Sequence, residues 1–361
     1  MIRSGPTPHR PLACSSLPPV WCARGLCLGL LLLLSLPAAN STARADVTRT
    51  QTIQLRRGWN AVFLEVFPSN SAPAKVFANI PVDIVASFQG KSTPAQFMNH
   101  PTADLYKDRD WGVWYSSRRP DAFLSTLHAI YGQQSYLVHA REDYSWAVSG
   151  AVRPLETRWE ANAFNFVGFS VSPSGAPTFA QFFAGSPAHR HNKLYRLTDG
   201  VWRRVLDPSA EAMRSGEAFW ILCEGNSKYQ GPLTVETTSR YGVFLVSGSD
   251  AVTLRNQLDH PITPTVHHVP SGAESVPLSL VIQVIGDPTA PVQRVAVPRP
   301  AGAWSEVLPP LEQSGKISIP LELRREDAAA FAQSSLLKIS TDLGTETWLP
   351  VLGLRKDLEA Q

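Results

Sequence analysis

The chain has 361 residues, with 33 Lys plus Arg against 30 Asp plus Glu; 43% hydrophobic and 17% charged residues is the balance of a globular protein and excludes disorder over most of its length. The length suits two or three domains, and 30 Pro together with abundant aromatics favours many short strands over long helices. The expected fold class is all-β, mainly antiparallel, with two related β-rich domains followed by an immunoglobulin-like β-sandwich.

At the N-terminus, Arg3, Arg10 and Arg24 lead into the apolar run Leu26 to Leu36, and small residues then continue to Ala45. This pattern predicts a signal peptide over 1–45, cleaved at the Ala45-Asp46 bond. The run is shorter than the roughly 20 apolar residues a spanning helix needs, so no stable membrane anchor is expected in the mature chain. Cys14, Cys22 and Cys27 lack the Leu-(Ala/Ser)-(Gly/Ala)-Cys context of a lipidation site. Removal of this segment leaves Cys223 as the one remaining cysteine, which rules out an intramolecular disulfide. It also leaves the two signs of charge almost equal. The pairs Arg56-Arg57, Arg118-Arg119, Arg203-Arg204 and Arg324-Arg325 are scattered, so nucleic acid is not an expected partner. The expected location is secreted, periplasmic or cell-surface.

From Gln51 onward the chain resembles itself. Trp59-Asn60 to Pro68 lies over Phe164-Asn165 to Pro173, each block an aromatic, an Asn, an alternating apolar run and a closing Pro. Gly112-Val113-Trp114 lies over Gly200-Val201-Trp202, and Tyr136-Leu137-Val138 over Trp220-Ile221-Leu222. These blocks divide the chain into copy one over 46–153, with an insertion at 91–110, and copy two over 154–238. The short linker Arg153-Pro154-Leu155-Glu156 implies that the copies touch. Gly58-Trp59-Asn60, its strand, and a distal Gly followed by an aromatic-aliphatic block resemble the tandem Gly-Trp-Asn β-rich modules of secreted bacterial and archaeal proteins of unassigned function. Copy two departs by reading Ala163-Phe164-Asn165. The resemblance implies a secreted, multidomain β protein and carries no catalytic residues with it.

Beyond Tyr241, eight short apolar or alternating runs between Tyr241 and Leu352, punctuated by Gly, Pro, Asn and Asp, predict the sandwich over 239–355. Arg325 to Gln333 reads as its one helical turn, and 356–361 as a tail.

Searches for chemistry find little. Gly90-Lys91-Ser92 ends like a phosphate-binding loop but has Val85 where that loop needs Gly, and there is no Gly-x-Ser-x-Gly elbow or His-Glu-x-x-His helix. Cys223 reads as a buried structural thiol. His189 and His191 could share a strand face as metal ligands with Asp199 or Asp207, but their loop-like context favours a solvated segment. Asp108-Arg109-Asp110-Trp111-Gly112 resembles part of a calcium loop without its downstream carboxylate and reads as a turn. Glu65 alternates with apolar neighbours and is expected on a solvent face, so no carboxylate pair stands out. Neither a metal nor a cofactor is expected. The leading function is a non-enzymatic structural or binding role, with a glycan or a surface protein as partner. The alternative is carbohydrate binding by the insertion and its flank through Trp111, Trp114, Tyr115, Tyr106, Asp108 and Asp110. A second alternative is a secreted hydrolase whose site forms only in three dimensions, in a cleft of clustered acids.

Overall fold

In a computed structural model of the chain, the residues described are 47–90, 106, 109–191, 193–246, 248–271, 275–284 and 293–355, the side chains of 283, 284 and 293 excepted. The expected signal peptide, the tail, Asp108 and most of the insertion lie outside them. Strands dominate, as the composition predicts, and the two α-helices among the described residues span only Pro73–Val76 (α1) and Phe179–Phe183 (α2).

The Gly-Trp-Asn block forms β2 (Gly58–Leu64). It pairs with β6 (Gln134–Ala140), which pairs with β4 (Val82–Phe88), which pairs with β5 (Trp111–Tyr115). The later block forms β8 (Ala163–Gly168), pairing in turn with β11 (Ala218–Cys223), β9 (Leu194–Thr198) and β10 (Val201–Arg204). In chain order both four-stranded sheets therefore run first, fourth, second, third, and in both a short helix follows the first strand.

The Asn of each block has a definite task. Asn60 Oδ1 accepts from the Arg56 amide while its Nδ2 donates to the carbonyls of Arg56 and Gly58. Asn165 accepts from the Glu160 amide and donates to the carbonyls of Glu160 and Ala163. Each Asn thus satisfies backbone groups of the turn entering its strand.

Each four-stranded sheet buries both faces. Alternation sends Tyr136 and Val138 of β6 to a core shared with β1 (Thr48–Leu55) and β7 (Tyr144–Ala151), where Ile53, Leu55, Trp146 and Val148 wait. Strands β1 and β7 pair with each other, and β3 (Phe67–Pro68) completes their three-stranded sheet. Leu137 faces the other way, into a core where Phe63, Trp111 and Val113 of the first sheet meet Phe164, Trp202 and Trp220 of the second. The two four-stranded sheets therefore touch along an aromatic layer, and the Phe63 amide donates to the Gly216 carbonyl across it at 2.8 Å. Gly168 is required at this contact, since a Cβ there would stand 2.2 Å from Phe63 Cβ. The far side of the second sheet, with Phe219 and Ile221, is closed by Phe179, Phe182 and Phe183 of α2. That helix begins with a capping box, in which Thr178 and Gln181 bond each other's amides.

The remaining strands form two five-stranded sheets. One runs β12 (Leu233–Thr237), β14 (Ser249–Asn256), β19 (Lys316–Leu323), β16 (Leu278–Val284), β17 (Gln293–Pro298). The other runs β13 (Val243–Leu245), β21 (Glu346–Leu354), β20 (Ala332–Thr341), β15 (Pro264–Pro270), β18 (Trp304–Val307). Leu254, Leu280 and Leu321 of the first meet Leu245, Ile339 and Val351 of the second in one core. All these pairings are antiparallel except β13 with β21. Strand β12, placed in copy two by the sequence reading, pairs with β14. The helical turn expected over Arg325 to Gln333 is a single 3-10 turn, Arg325–Asp327, and by Ala332 the chain is already strand.

Candidate functional site

A cleft of about 690 Å³ opens where the two four-stranded sheets, the linker between them and the turn before β13 converge. Its volume lies in the usual range for ligand sites. One wall is the linker, which two amides pin at its ends. Gln133 Nε2 donates to the carbonyls of Arg153 and Pro154, both at 2.9 Å. Gln230 accepts from the Thr157 amide at 2.6 Å and donates to the Thr157 carbonyl at 2.9 Å. Gln133 itself holds a left-handed backbone with φ of 59°.

At the mouth, Tyr131 is 54% exposed. Its backbone is held from below, because the buried Tyr136 hydroxyl accepts from the Tyr131 amide at 2.8 Å and donates to the Tyr131 carbonyl at 3.0 Å. The Arg153 guanidinium lies 4.2 Å from the centre of the Phe67 ring, and that of Arg240 lies 4.7 Å from the centre of the Tyr241 ring. Arg158 reaches only a loose pair with Glu156, at 3.8 Å and well exposed. Three guanidinium groups thus line the cleft against one carboxylate, Glu156, among the described residues.

A second polar centre lies beside the cleft and overturns the expectation for Glu65. Its carboxylate is buried, with 9% side-chain exposure, rather than facing solvent. Arg49 bonds Oε2 at 2.5 Å, the Ser170 hydroxyl donates to Oε2 at 2.6 Å, and Gln51 donates to Oε1 at 3.3 Å. The Arg49 guanidinium also lies 4.6 Å from the Trp348 ring centre on β21, so this centre joins both four-stranded regions to the last part of the chain. Burial raises the Glu65 pKa, opposed by the charge of Arg49. Glu217 is likewise raised by burial and opposed by Arg196, which it meets at 2.9 Å. Neither raised acid lines the cleft.

The aromatics predicted to form a binding face do not share one. Trp111, with 7% exposure, is buried in the aromatic layer between the sheets and takes there the place that Trp202 takes on β10. Trp114 points to the opposite face of β5 and stacks on Phe77 at 5.6 Å. Tyr115 is half-buried at the edge of the aromatic layer, with Arg119 5.6 Å from its ring centre. Tyr106 covers Trp59 at 4.7 Å. Trp59 in turn neighbours His139, whose Nδ1 meets Asp83 at 2.6 Å. Asp110 is exposed, and its carbonyl accepts from the Gln89 amide. Strand alternation is the physical reason for the dispersal: Trp111, Val113 and Tyr115 face one way, and Trp114 the other.

The two histidines diverge as well. His189 is buried against Trp159 at 4.2 Å, its Nδ1 bonded to Ser186 at 2.6 Å, and burial lowers its pKa to about 4. His191 is exposed and paired with Glu224. Among the described residues no group of three or more His, Cys, Asp or Glu side chains is placed to hold a metal. Cys223 is buried. The cleft residues Gln133, Arg153 and Arg240 were not singled out by sequence reasoning; the one signal pointing toward them was the shortness of the linker.

No protein-family model matches the chain, and no curated protein matches it. Among solved structures it is similar to the Escherichia coli alpha-2-macroglobulin activated by porcine elastase, at 10% identity over 86% of this chain and 35% of that one, with a TM-score of 0.19. It is similar to Bacteroides uniformis beta-glucuronidase at 7% identity, over 85% of this chain and 32% of that one, with a TM-score of 0.14. The chain spans about a third of the length of these two structures, and at such TM-scores neither bears on its fold or activity.

Proposed function

We propose that the protein is an exported, non-enzymatic modular binding protein, built from two related β-rich modules of the Gly-Trp-Asn kind and an immunoglobulin-like sandwich. The shared strand order and the matching tasks of Asn60 and Asn165 support a duplication. The pair of five-stranded sheets around one core supports the sandwich. The apolar run Leu26 to Leu36 after three arginines supports export to the periplasm, the cell surface or the medium. The observation that carries the binding role is the cleft, whose wall is fixed in advance by Gln133 and Gln230; a site ordered before its ligand arrives loses less entropy on binding.

A second reading, glycan attachment beside the insertion, keeps Tyr106, against Trp59, and Tyr115, beside Arg119, as half-exposed aromatics. The cleft is favoured over it because Tyr106 is already spent on covering Trp59. In the native host, a photo-crosslinking residue in place of Tyr131 is expected to trap a partner outside the cytoplasm, on a protein whose N-terminus is Asp46. A cytoplasmic protein that retains residues 1–45 would sink export. Labelling no stronger than from the same residue in place of Phe331 would sink the cleft as a binding site.

A further inference from the structure

We propose that the cleft takes an acidic oligosaccharide, with a carboxylate or sulfate on its sugar rings, an assignment that rests on the binding role above and gives it a ligand class. Arg153, Arg158 and Arg240 face Glu156 alone among the described charged residues of the lining, so the site has an excess of positive charge. Arg158 and Glu156 are 87% and 71% exposed and 3.8 Å apart, a pair that holds little energy and can give way to a better acceptor. A planar guanidinium matches a carboxylate or sulfate with two parallel N–H donors, which favours arginine over lysine at such a site.

The remaining lining suits a sugar body. Tyr131 and Tyr241, 54% and 49% exposed, offer amphipathic rings at the mouth, and Phe88 and Phe166 lie among the lining side chains. Rings of this kind cover the C–H face of a pyranose while its edge stays polar. Gln134, Ser135 and Thr157 supply hydrogen-bonding groups for hydroxyls along the same walls. Arg153 rests on the Phe67 ring, Arg240 on the Tyr241 ring and hydroxyl, and Arg158 beside Glu156; a purely apolar ligand would add no acceptor to any of them, and a neutral sugar would make no use of their charge.

The test is calorimetric titration of the purified protein with four probes: an oligogalacturonate, a heparin oligosaccharide, a neutral cello-oligosaccharide and a single-stranded oligonucleotide. Saturable one-to-one binding of either acidic saccharide, at least tenfold tighter than the neutral one and weakening with added salt, is expected, and the stronger of the two identifies the anionic group. Arg158→Gln and Arg240→Gln are each expected to weaken that binding at least fivefold with melting temperatures unchanged. Absence of saturable binding by both acids would overturn the assignment, as would equal affinity in both variants, or an oligonucleotide that binds as tightly as the saccharides. If saccharide binding is absent while the Tyr131 cross-link persists, the ligand class falls and the binding role stands; if both are absent, the role falls as well.

Discussion

Replacing Arg49 with alanine would leave the Glu65 carboxylate without its counter-ion in a place where its side chain is 9% exposed. Ser170 and Gln51 would still donate to it, but neutral donors do not replace a full charge. Breaking one partner of a buried pair costs about 3–5 kcal/mol, because the other charge stays buried and uncompensated. For a chain of this size that corresponds to a melting temperature lower by about 10 °C. The sign of the pH dependence follows from Glu65. Its pKa in the fold is raised above the ordinary 4.5, so the folded state holds its proton more tightly than the unfolded chain does. The stability this contributes is fully present below pH 4.5 and is lost as pH rises through the folded value. The Arg49→Ala penalty should therefore be complete at pH 8 and shrink toward pH 4, and Glu65→Gln in the same chain should restore much of the loss. Urea titrations followed by tryptophan fluorescence at the two pH values measure this. A penalty under about 0.5 kcal/mol at pH 8, or one indifferent to pH, would refute the buried ion pair as the cause.

Four further outcomes are expected. His189, held to a pKa of about 4 by burial, resists the proton that the unfolded chain takes up near its ordinary 6.5. Stability should thus fall by about 3 kcal/mol as pH drops from 6.5 to 4, and His189→Asn should flatten that slope in urea midpoints. Thr178→Ala removes one half of the α2 capping box and should cost about 1 kcal/mol in the same assay. Gly168→Val places a Cβ against Phe63 and should cost about 1–3 kcal/mol, with smaller losses if Phe63 is also shortened to leucine. Asn165→Ala strips the turn before β8 of its bonds at Glu160 and Ala163; a loss of about 1–3 kcal/mol is expected, and amide exchange at Glu160 should speed up.

The strands were the legible part, because alternation is local. Gly58 to Leu64 and Ala163 to Gly168 declared themselves by an aromatic, an Asn and an apolar run, and both became first strands of four-stranded sheets. Placement of the later blocks slipped where loops changed length. Tyr136-Leu137-Val138 corresponds by facing core to Phe219-Trp220-Ile221, one residue earlier than its match to Trp220-Ile221-Leu222 in the sequence. The reason is that Gln133, with φ of 59°, occupies the left-handed position that Gly216, with φ of 74°, takes before β11. On β5 the slip has another source: the shared Gly-Val-Trp text laid Trp114 over Trp202, whereas the strand pairing gives that place to Trp111. Glu65 misled for a different reason. Period-2 alternation says which side of a strand a residue faces, and not that Arg49 and Ser170 will be waiting there. The cleft was invisible for that reason too, since its residues come from six separate stretches of the chain.

The aromatic layer between the two four-stranded sheets has a consequence for how the chain is held together. Were the linker cut near Pro154, each half would turn Phe63, Trp111 and Val113, or Phe164, Trp202 and Trp220, toward water. Soluble monomers rarely expose contiguous apolar patches larger than a few hundred Å², so the halves would stay paired or aggregate rather than drift apart. The linker therefore acts as a tether, which keeps the effective concentration of each half near the other far above what free diffusion would give. Because the linker residues Arg153 to Glu156 also form a wall of the cleft, a change in linker length would alter the shape of the cleft and the strength of the tether at once.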